Sequence, residues 1–404
     1  VCRPKTQIFR PGAVLRFLVV RADPDRQRAT RKYDFFGLEK GEGKMFIGME
    51  GAKRDGVRDQ RIAKVVELAP PERLLAELPL TEERAKAVIR GREEVRDVLA
   101  GKDPRLMVVV GPCSVHDPKA AMEYATRLSA TAQALRDDLL VVMRVYFEKP
   151  RTTTGWKGLI NDPHLDESGD VNAGLRIARK LLLEVVDTGL PIGCEFLDPI
   201  TPQYIADCVA WGAIGARTSE SQTHRQLASG LSMPIGFKNR TDGNIQIAVD
   251  AVRAAAASHA FAGIDDAGMP AILHTTGNPD CHLILRGGHG VPNYHPPEVE
   301  DALVTLGVAG LPERLVIDAS HDNSGKDPEK QFLAAGDIAD QVADGNKAIV
   351  GVMLESFLVE GRQNLVPGGE LTYGQSITDA CIDWEDTASA LERFASAVEA
   401  RRGS

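Results

Sequence analysis

The chain has 404 residues of which 43% are apolar, enough to bury the core of one large domain or two average ones. Its formal charge of −9 argues against nucleic acid or an anionic membrane as a partner, and no apolar run approaches a membrane helix in length. The cysteines (Cys2, Cys113, Cys194, Cys208, Cys281, Cys381) form no CxxC pair, which excludes a zinc finger or redox dithiol and fits the reducing cytoplasm.

Residues 1–48 are basic, lack clear periodicity and begin with Val. They are read either as a disordered arm or, preferably, as a segment upstream of a true start at Met45 or Met49. Residues 49–104 are read as an N-terminal extension for regulation or assembly, helical between Asp59 and Gly101. Thr81 is placed as N-cap, Ala85, Val88, Ile89, Val95 and Leu99 recur near helical spacing, and Gly101 is placed as C′. That stripe must pack on the remaining chain or on a second subunit.

Residues 105–404 carry a short apolar run repeated eight times. The runs are Leu106 to Ser114, Val141 to Arg151, Pro191 to Asp198, Ala213 to Thr218, Pro234 to Asn239, His282 to Gly288, Arg314 to His321 and Ala348 to Ser356. Short β-branched runs separated by helical stretches read as buried parallel strands. The intervening helices are predicted over Pro118 to Leu135, Asn172 to Thr188, Pro202 to Trp211, Ser221 to Ser229, Ile245 to Ser258, Pro297 to Leu306 and Pro328 to Ala343, with a last one over Ile377 to Ala400. Eight such units predict an α/β fold, a (β/α)8 TIM barrel whose chemistry lies at the carboxyl ends of the strands. Ala262 to Ile264 and Ala271 to His274 depart from this rhythm and predict a β-hairpin inserted before the sixth strand.

Two constellations end these runs. Cys113, His321 and Glu355 end strands one, seven and eight, which are neighbours in a closed barrel, and Asp379 can return to the same place. Thiolate, imidazole and carboxylates together suit a divalent transition metal (Mn, Fe, Co or Zn) better than Mg or Ca. Arg144, Lys149, Arg151, Arg217, Lys238 and Arg286 are placed across the mouth from that metal. Their mutual repulsion implies a bound polyanion. In the loop KPRTTTGWKG, Lys149, Arg151, Thr152 and Thr153 can surround a terminal phosphate, with Gly155 permitting a tight backbone and Trp156 readable as a packing residue.

The motifs GPCSVHDP, RVYFEKPRTTTGWKGLINDPH, GARTSESQ, GFKN, ILRGG, DASHDNS and SITDAC resemble those of the type I, short bacterial and fungal 3-deoxy-D-arabino-heptulosonate 7-phosphate (DAHP) synthases, from about Asp59 to the C-terminus. The resemblance implies condensation of phosphoenolpyruvate with erythrose 4-phosphate, the first step toward the aromatic amino acids. It implies Cys113, His321, Glu355 and Asp379 as metal ligands, and Arg144, Ala216, Arg217, Lys238 and Arg286 as phosphoenolpyruvate contacts. Lys149, Pro150, Arg151 and Thr152 would hold erythrose 4-phosphate. Lys149 would donate a proton, and Glu195 would act on the reacting water. A homodimer or homotetramer is implied as well. Departures from the family pattern are Arg240 in place of Gly, at a position that can favour positive φ, and the milder Ser219 and Asp322.

Feedback control is also implied by the resemblance, with Asp59, Gln203, Leu231, Ser232, Phe261 and Gly263 lining a site for an aromatic amino acid. Pro199 and Gly263 resemble the tyrosine-sensitive form, Gly263 leaving room for a phenol hydroxyl. The competing readings are a barrel that condenses phosphoenolpyruvate with a longer sugar, such as 3-deoxy-octulosonate 8-phosphate synthase, and a silent regulatory paralogue. Retention of every ligand and cation argues against the paralogue.

Overall fold

The structure, a computed structural model, describes residues 59–366 and 369–403. The expectations for residues 1–48, both candidate starts and residues 49–58 lie outside the described residues. The described residues fall into two units, 59–65 and 66–403. In the first, Asp59 has a left-handed φ of 57°, and its carbonyl accepts from the Ile62 N–H at 3.1 Å.

The second unit opens with two helices, α1 (Pro71–Glu77) and α2 (Glu82–Leu99). Thr81 caps α2 by accepting from the Arg84 N–H. Gly101, at φ 69°, donates its N–H to the Val98 carbonyl as the C′ residue. Val88 and Val95 of the predicted stripe pack on the barrel, joined by Val98, which carried no expectation, and Gly91 lets α2 approach Pro191 and Ala210. Ile89 is the exception and is exposed. Residues 66–104 are therefore continuous with the barrel.

The barrel then builds up as β1 (Leu106–Gly111), α3 (Pro118–Ala134), β2 (Leu139–Arg144), α4 (Val171–Asp187), β3 (Ile192–Glu195), α5 (Pro202–Ile205), β4 (Trp211–Ile214), α6 (Gln222–Gly230), β5 (Ile235–Lys238) and α7 (Gln246–Ala255). The hairpin β6 (Ala260–Ile264) and β7 (Pro270–His274) follows, in antiparallel register. The remaining elements are β8 (His282–Leu285), α8 (Pro296–Val308), β9 (Leu315–Asp318), α9 (Pro328–Ala343), β10 (Ile349–Glu355), a small parallel pair β11 (Val359–Arg362) and β12 (Gln375–Ser376), and α10 (Trp384–Gly403). The closed order is β1-β10-β9-β8-β5-β4-β3-β2, all parallel. The strands are buried along nearly their whole length, as parallel strands covered on both faces must be.

Two predicted helices need correction. The helix expected over Pro202 to Trp211 stops at Ile205, passes through a 3-10 turn (Ala206–Cys208), and gives way to β4 at Trp211. The carbonyls that would continue it are taken by arginines. Tyr204 O accepts from Arg179 at 2.9 Å, Ala206 O from Arg92 at 2.8 Å and Val209 O from Arg92 at 2.9 Å. The last helix begins at Trp384 rather than Ile377, because Cys381 and Ile382 bond in extended form to Gly361, Glu355 and Phe357. That diversion keeps Asp379 in a loop at the mouth.

Candidate active site

Closure of the barrel places β1 against β10, with Gly111 opposite Glu355. Cys113, just past β1, and Glu355, the last residue of β10, therefore meet. Asp379 joins them because its loop is pinned by a 2.7 Å hydrogen bond between Thr378 and Ser114 hydroxyls. One ligand atom each from Cys113, Glu355 and Asp379 lie within 4.8 Å of one another. His321 stands outside this tight group but touches it, with Nε2 3.7 Å from Glu355 Oε1. Its Nδ1 lies 2.8 Å from Asp318 Oδ2 and 2.7 Å from Ser320 Oγ, which orients the ring and leaves Nε2 toward the carboxylate.

These groups suit a bound cation. Burial lowers the His321 pKa despite the opposing pull of Asp318, favouring the neutral, ligating imidazole. Burial, then Glu355, pushes the Cys113 thiol up to about 11. Glu355 Oε2 is buried without a hydrogen-bond partner among the described residues. An orphaned carboxylate oxygen beside a thiol and a second carboxylate is costly unless something electrophilic sits among them. The donor set thus fits a divalent transition metal.

The cations are arranged differently from the expectation. Arg144 and Lys149 do not face the metal ligands from across the mouth but touch them, since β2 adjoins β1. Lys149 Nζ lies 2.8 Å from both Cys113 Sγ and Asp379 Oδ2. Arg144, buried over the Tyr146 ring, donates to Glu355 Oε1 at 2.8 Å and to the Pro112 and Cys113 carbonyls. Lys238 Nζ pairs with Asp318 at 2.7 Å, and Arg286 pairs with Asp322. Internal carboxylates therefore offset most of the repulsion that was expected to require a bound polyanion. Arg151 and Arg217 are exposed and make no ion pair with any described residue.

Burial acts to lower the Lys149 pKa, but Cys113, Asp379 and Glu355 outweigh it and hold the ammonium above its ordinary value. Burial likewise acts to raise Asp379, while Lys149 and Lys326 hold it far below the usual carboxylate range. Lys326, 3.0 Å from Asp379 Oδ1, carried no expectation, though it follows DASHDNSG directly.

Glu195 ends β3, nearly buried. Gly215 makes room for it, since a Cβ there would lie 2.2 Å from Glu195 Oε1. Ala216 is the next residue along this loop, half-buried. In the Lys149 loop, Gly155 adopts φ 143°, a backbone conformation that favours glycine, and the Arg151 guanidinium lies against it. Trp156 is indeed a packing residue, buried and donating to Asp162 O at 2.9 Å. Pro150 is half-buried and Thr152 exposed at the same rim. Glu148 was overlooked although it stands inside YFEKPR. It accepts from the N–H groups of Leu197 and Asp198 and from the Thr201 hydroxyl, tying this loop to the one after β3, and burial pushes its carboxyl up to about 7.

Arg240 is not at positive φ, and its guanidinium pairs outward with Glu220 at 2.9 Å and Asp242 at 3.1 Å, so it adds no free charge to the mouth. Ser219 donates to the Lys238 carbonyl at 2.7 Å, a supporting role. Asp322 is not a mild departure, because it occupies Arg286.

Of the regulatory residues, Gln203 donates to Ile264 O on the hairpin at 3.3 Å, beside Phe261 and Gly263 on β6. The end of α6, just before Leu231 and Ser232, is tied to the hairpin base by a 2.7 Å bond between Ser229 and Thr275 hydroxyls. Pro199 is exposed on the loop leading to α5. Gly263 opens no free space, because its Cβ would lie 2.7 Å from Leu273 Cδ1. Asp59 belongs to the separate first unit.

The sequence model of the DAHP synthetase I family matches residues 78–392. The chain is 58% identical over 345 residues to the Phe-sensitive phospho-2-dehydro-3-deoxyheptonate aldolase of Escherichia coli K12, covering 85% of this chain and 98% of that protein. It is 53% identical over 343 residues to the Tyr-sensitive protein of the same organism, covering 85% and 96%. The solved structure of a phospho-2-dehydro-3-deoxyheptonate aldolase from Francisella tularensis superposes with a TM-score of 0.83 at 50% identity, covering 85% of this chain and all of that one. With its barrel closed and its strand ends so furnished, the chain belongs to the DAHP synthetase I family.

Proposed function

We propose that this protein joins phosphoenolpyruvate to erythrose 4-phosphate with water, giving 3-deoxy-D-arabino-heptulosonate 7-phosphate and phosphate. The observation that carries this reading is the direct contact between a three-donor cluster with an orphaned oxygen and a set of buried cations at one barrel mouth. Arg144, Arg217, Lys238 and Arg286, with Ala216, bind the carboxylate and phosphate of phosphoenolpyruvate. Lys149, Pro150, Arg151 and Thr152 hold the sugar phosphate. A divalent transition metal held by Cys113, His321, Glu355 and Asp379 supplies Lewis-acid polarisation of the aldehyde.

The chain's own groups then move protons. As C3 of phosphoenolpyruvate bonds to the aldehyde carbon, Lys149 donates a proton to the aldehyde oxygen. Water adds at C2 and gives one proton to Glu195; the new C2 hydroxyl then collapses to the ketone as the C–O bond to phosphate breaks, the electron pair and the hydroxyl proton leaving with phosphate. The test is phosphate release together with product mass from phosphoenolpyruvate supplied with erythrose 4-phosphate and, in competition, a longer sugar phosphate, before and after chelation and metal return. Loss on chelation and recovery on return are expected. A product of higher mass from a longer sugar, or none at all, overturns the reading.

The protein is proposed to work in the cytoplasm as a homodimer or homotetramer. The described cysteines are all free, and no described helix is long and apolar enough to cross a membrane. An aromatic amino acid, tyrosine by the family resemblance at Pro199, is proposed to inhibit it through the hairpin. At equal concentrations tyrosine should inhibit most; stronger inhibition by phenylalanine or tryptophan counts against it.

A further inference from the structure

The two buried cations at the ends of β5 and β8, Lys238 and Arg286, have different kinds of counter-ion. Asp318, opposite Lys238, is fully buried and fixed by the Ser320 N–H at 3.0 Å, the Ser320 hydroxyl at 2.6 Å and His321. Asp322, opposite Arg286, has a side chain 23% exposed, and its carboxylate has no other partner among the described residues. It rides on the turn His321–Asn323, whose backbone is bound to the arginine's own strand end by the Asp322 N–H to Arg286 O at 3.2 Å.

The Arg286 backbone is held in place. Its N–H donates to Asn239 Oδ1 at 2.8 Å, and a Cβ on the neighbouring Gly287 would strike Asn323 N at 2.7 Å. The guanidinium is only partly used, with Nη1 on Asp322 and, at 3.5 Å, on the Gly287 carbonyl, and with Nε buried without a partner among the described residues. A planar fork with one edge on a loosely held carboxylate and another edge empty is built to exchange that carboxylate for a larger oxyanion.

We propose that Asp322 is a displaceable internal counter-ion that sets how tightly Arg286 takes a phosphate. This rests on the assignment of Arg286 to the phosphate of phosphoenolpyruvate. With no phosphate bound, Asp322 neutralises the buried guanidinium. When a phosphate ester arrives, the carboxylate swings toward solvent, and its charge continues to oppose the incoming anion. Asp322 thus makes binding of phosphoenolpyruvate, and of product phosphate at the same arginine, weaker than the cationic pocket alone would give. That weakening favours release of phosphate after turnover.

Calorimetric titration of the full chain with phosphoenolpyruvate and, separately, with inorganic phosphate tests this. D322N and D322A are expected to bind both about five-fold or more tightly, because a charge-assisted bond to the competing carboxylate is gone. D322E, which keeps the charge, is expected to stay near the parent protein, and the KM for erythrose 4-phosphate should not change. R286Q is the control for the underlying assignment. If R286Q leaves phosphoenolpyruvate binding unaltered, the assignment of Arg286 fails. If R286Q weakens binding but D322N and D322A, folded by their urea midpoints, bind phosphate no more tightly than the parent, the proposal for Asp322 fails.

Discussion

Replacing Lys149 by Met is expected to lower turnover by about 10²- to 10⁴-fold, the span typical of a lost general acid. Lys149 is the group whose ammonium contacts the Cys113 thiol and Asp379 at once, each at 2.8 Å, so no neighbouring donor stands closer to both. Its acidic neighbours keep it protonated, which suits a donor that must be charged before the reaction begins. The fold should tolerate the change better than loss of a buried ion-pair partner usually allows, about 3–5 kcal/mol. Asp379 retains Lys326 at 3.0 Å, so the carboxylate is not left alone. Steady-state kinetics with urea unfolding checks both parts. A variant that turns over within ten-fold of the parent removes Lys149 from the proton step.

Replacing Glu355 by Ala should act on stability and chemistry together. Glu355 is fully buried between Arg144 at 2.8 Å and His321 at 3.7 Å, and its backbone is clamped by Gln331 through two hydrogen bonds of 2.8 Å. Removing the carboxylate leaves the Arg144 guanidinium, itself 1% exposed, facing no anion from β10. The expected cost is about 3–5 kcal/mol, the range for an uncompensated buried charge. Two carbonyls still accept from Arg144 and place the loss toward the lower end. Metal-dependent phosphate release should vanish even at saturating metal. Glu355→Gln separates the effects, since its amide oxygen can still accept from Arg144 while the ligand charge is gone: stability should be largely kept and activity lost. Retained activity in the glutamine variant would contradict the ligand role.

The barrel was legible because burial on both faces demands unbroken apolar strands, and such runs as LMVVVG at 106–111 and IVGVMLE at 349–355 leave little other reading. The end of each strand follows from the run, and that placed Cys113, Arg144, Glu195, Lys238 and Glu355 at one mouth. The segment after Pro202 was misread for a tertiary reason. Arg92 and Arg179 reach from other helices to take carbonyls that local propensity would have given to a helix. The loop holding Asp379 was misread similarly, its backbone being drawn into pairing with β10 and β11.

Ion pairing was the least legible part of the site. A sequence shows six cations near strand ends but not which carboxylates stand opposite them. Asp318 sits two residues before Ser320 on a strand whose apolar pattern hides it, yet it is the shared partner of Lys238 and His321. Glu148 and Asp322 lie inside YFEKPR and DASHDNS, but their partners come from other loops and strand ends, which no local pattern shows. A rule that each buried cation needs a carboxylate within its own set of strand ends would have singled out Asp318 and Asp322.

Thiol, imidazole and two carboxylates from the ends of β1, β9 and β10 and from the Asp379 loop are proposed to share one cation. X-ray absorption of the metal-loaded protein tests it most directly. One sulfur neighbour in a shell otherwise of nitrogen and oxygen, lost in Cys113→Ser, is the result predicted. A shell without sulfur in the parent protein would contradict it.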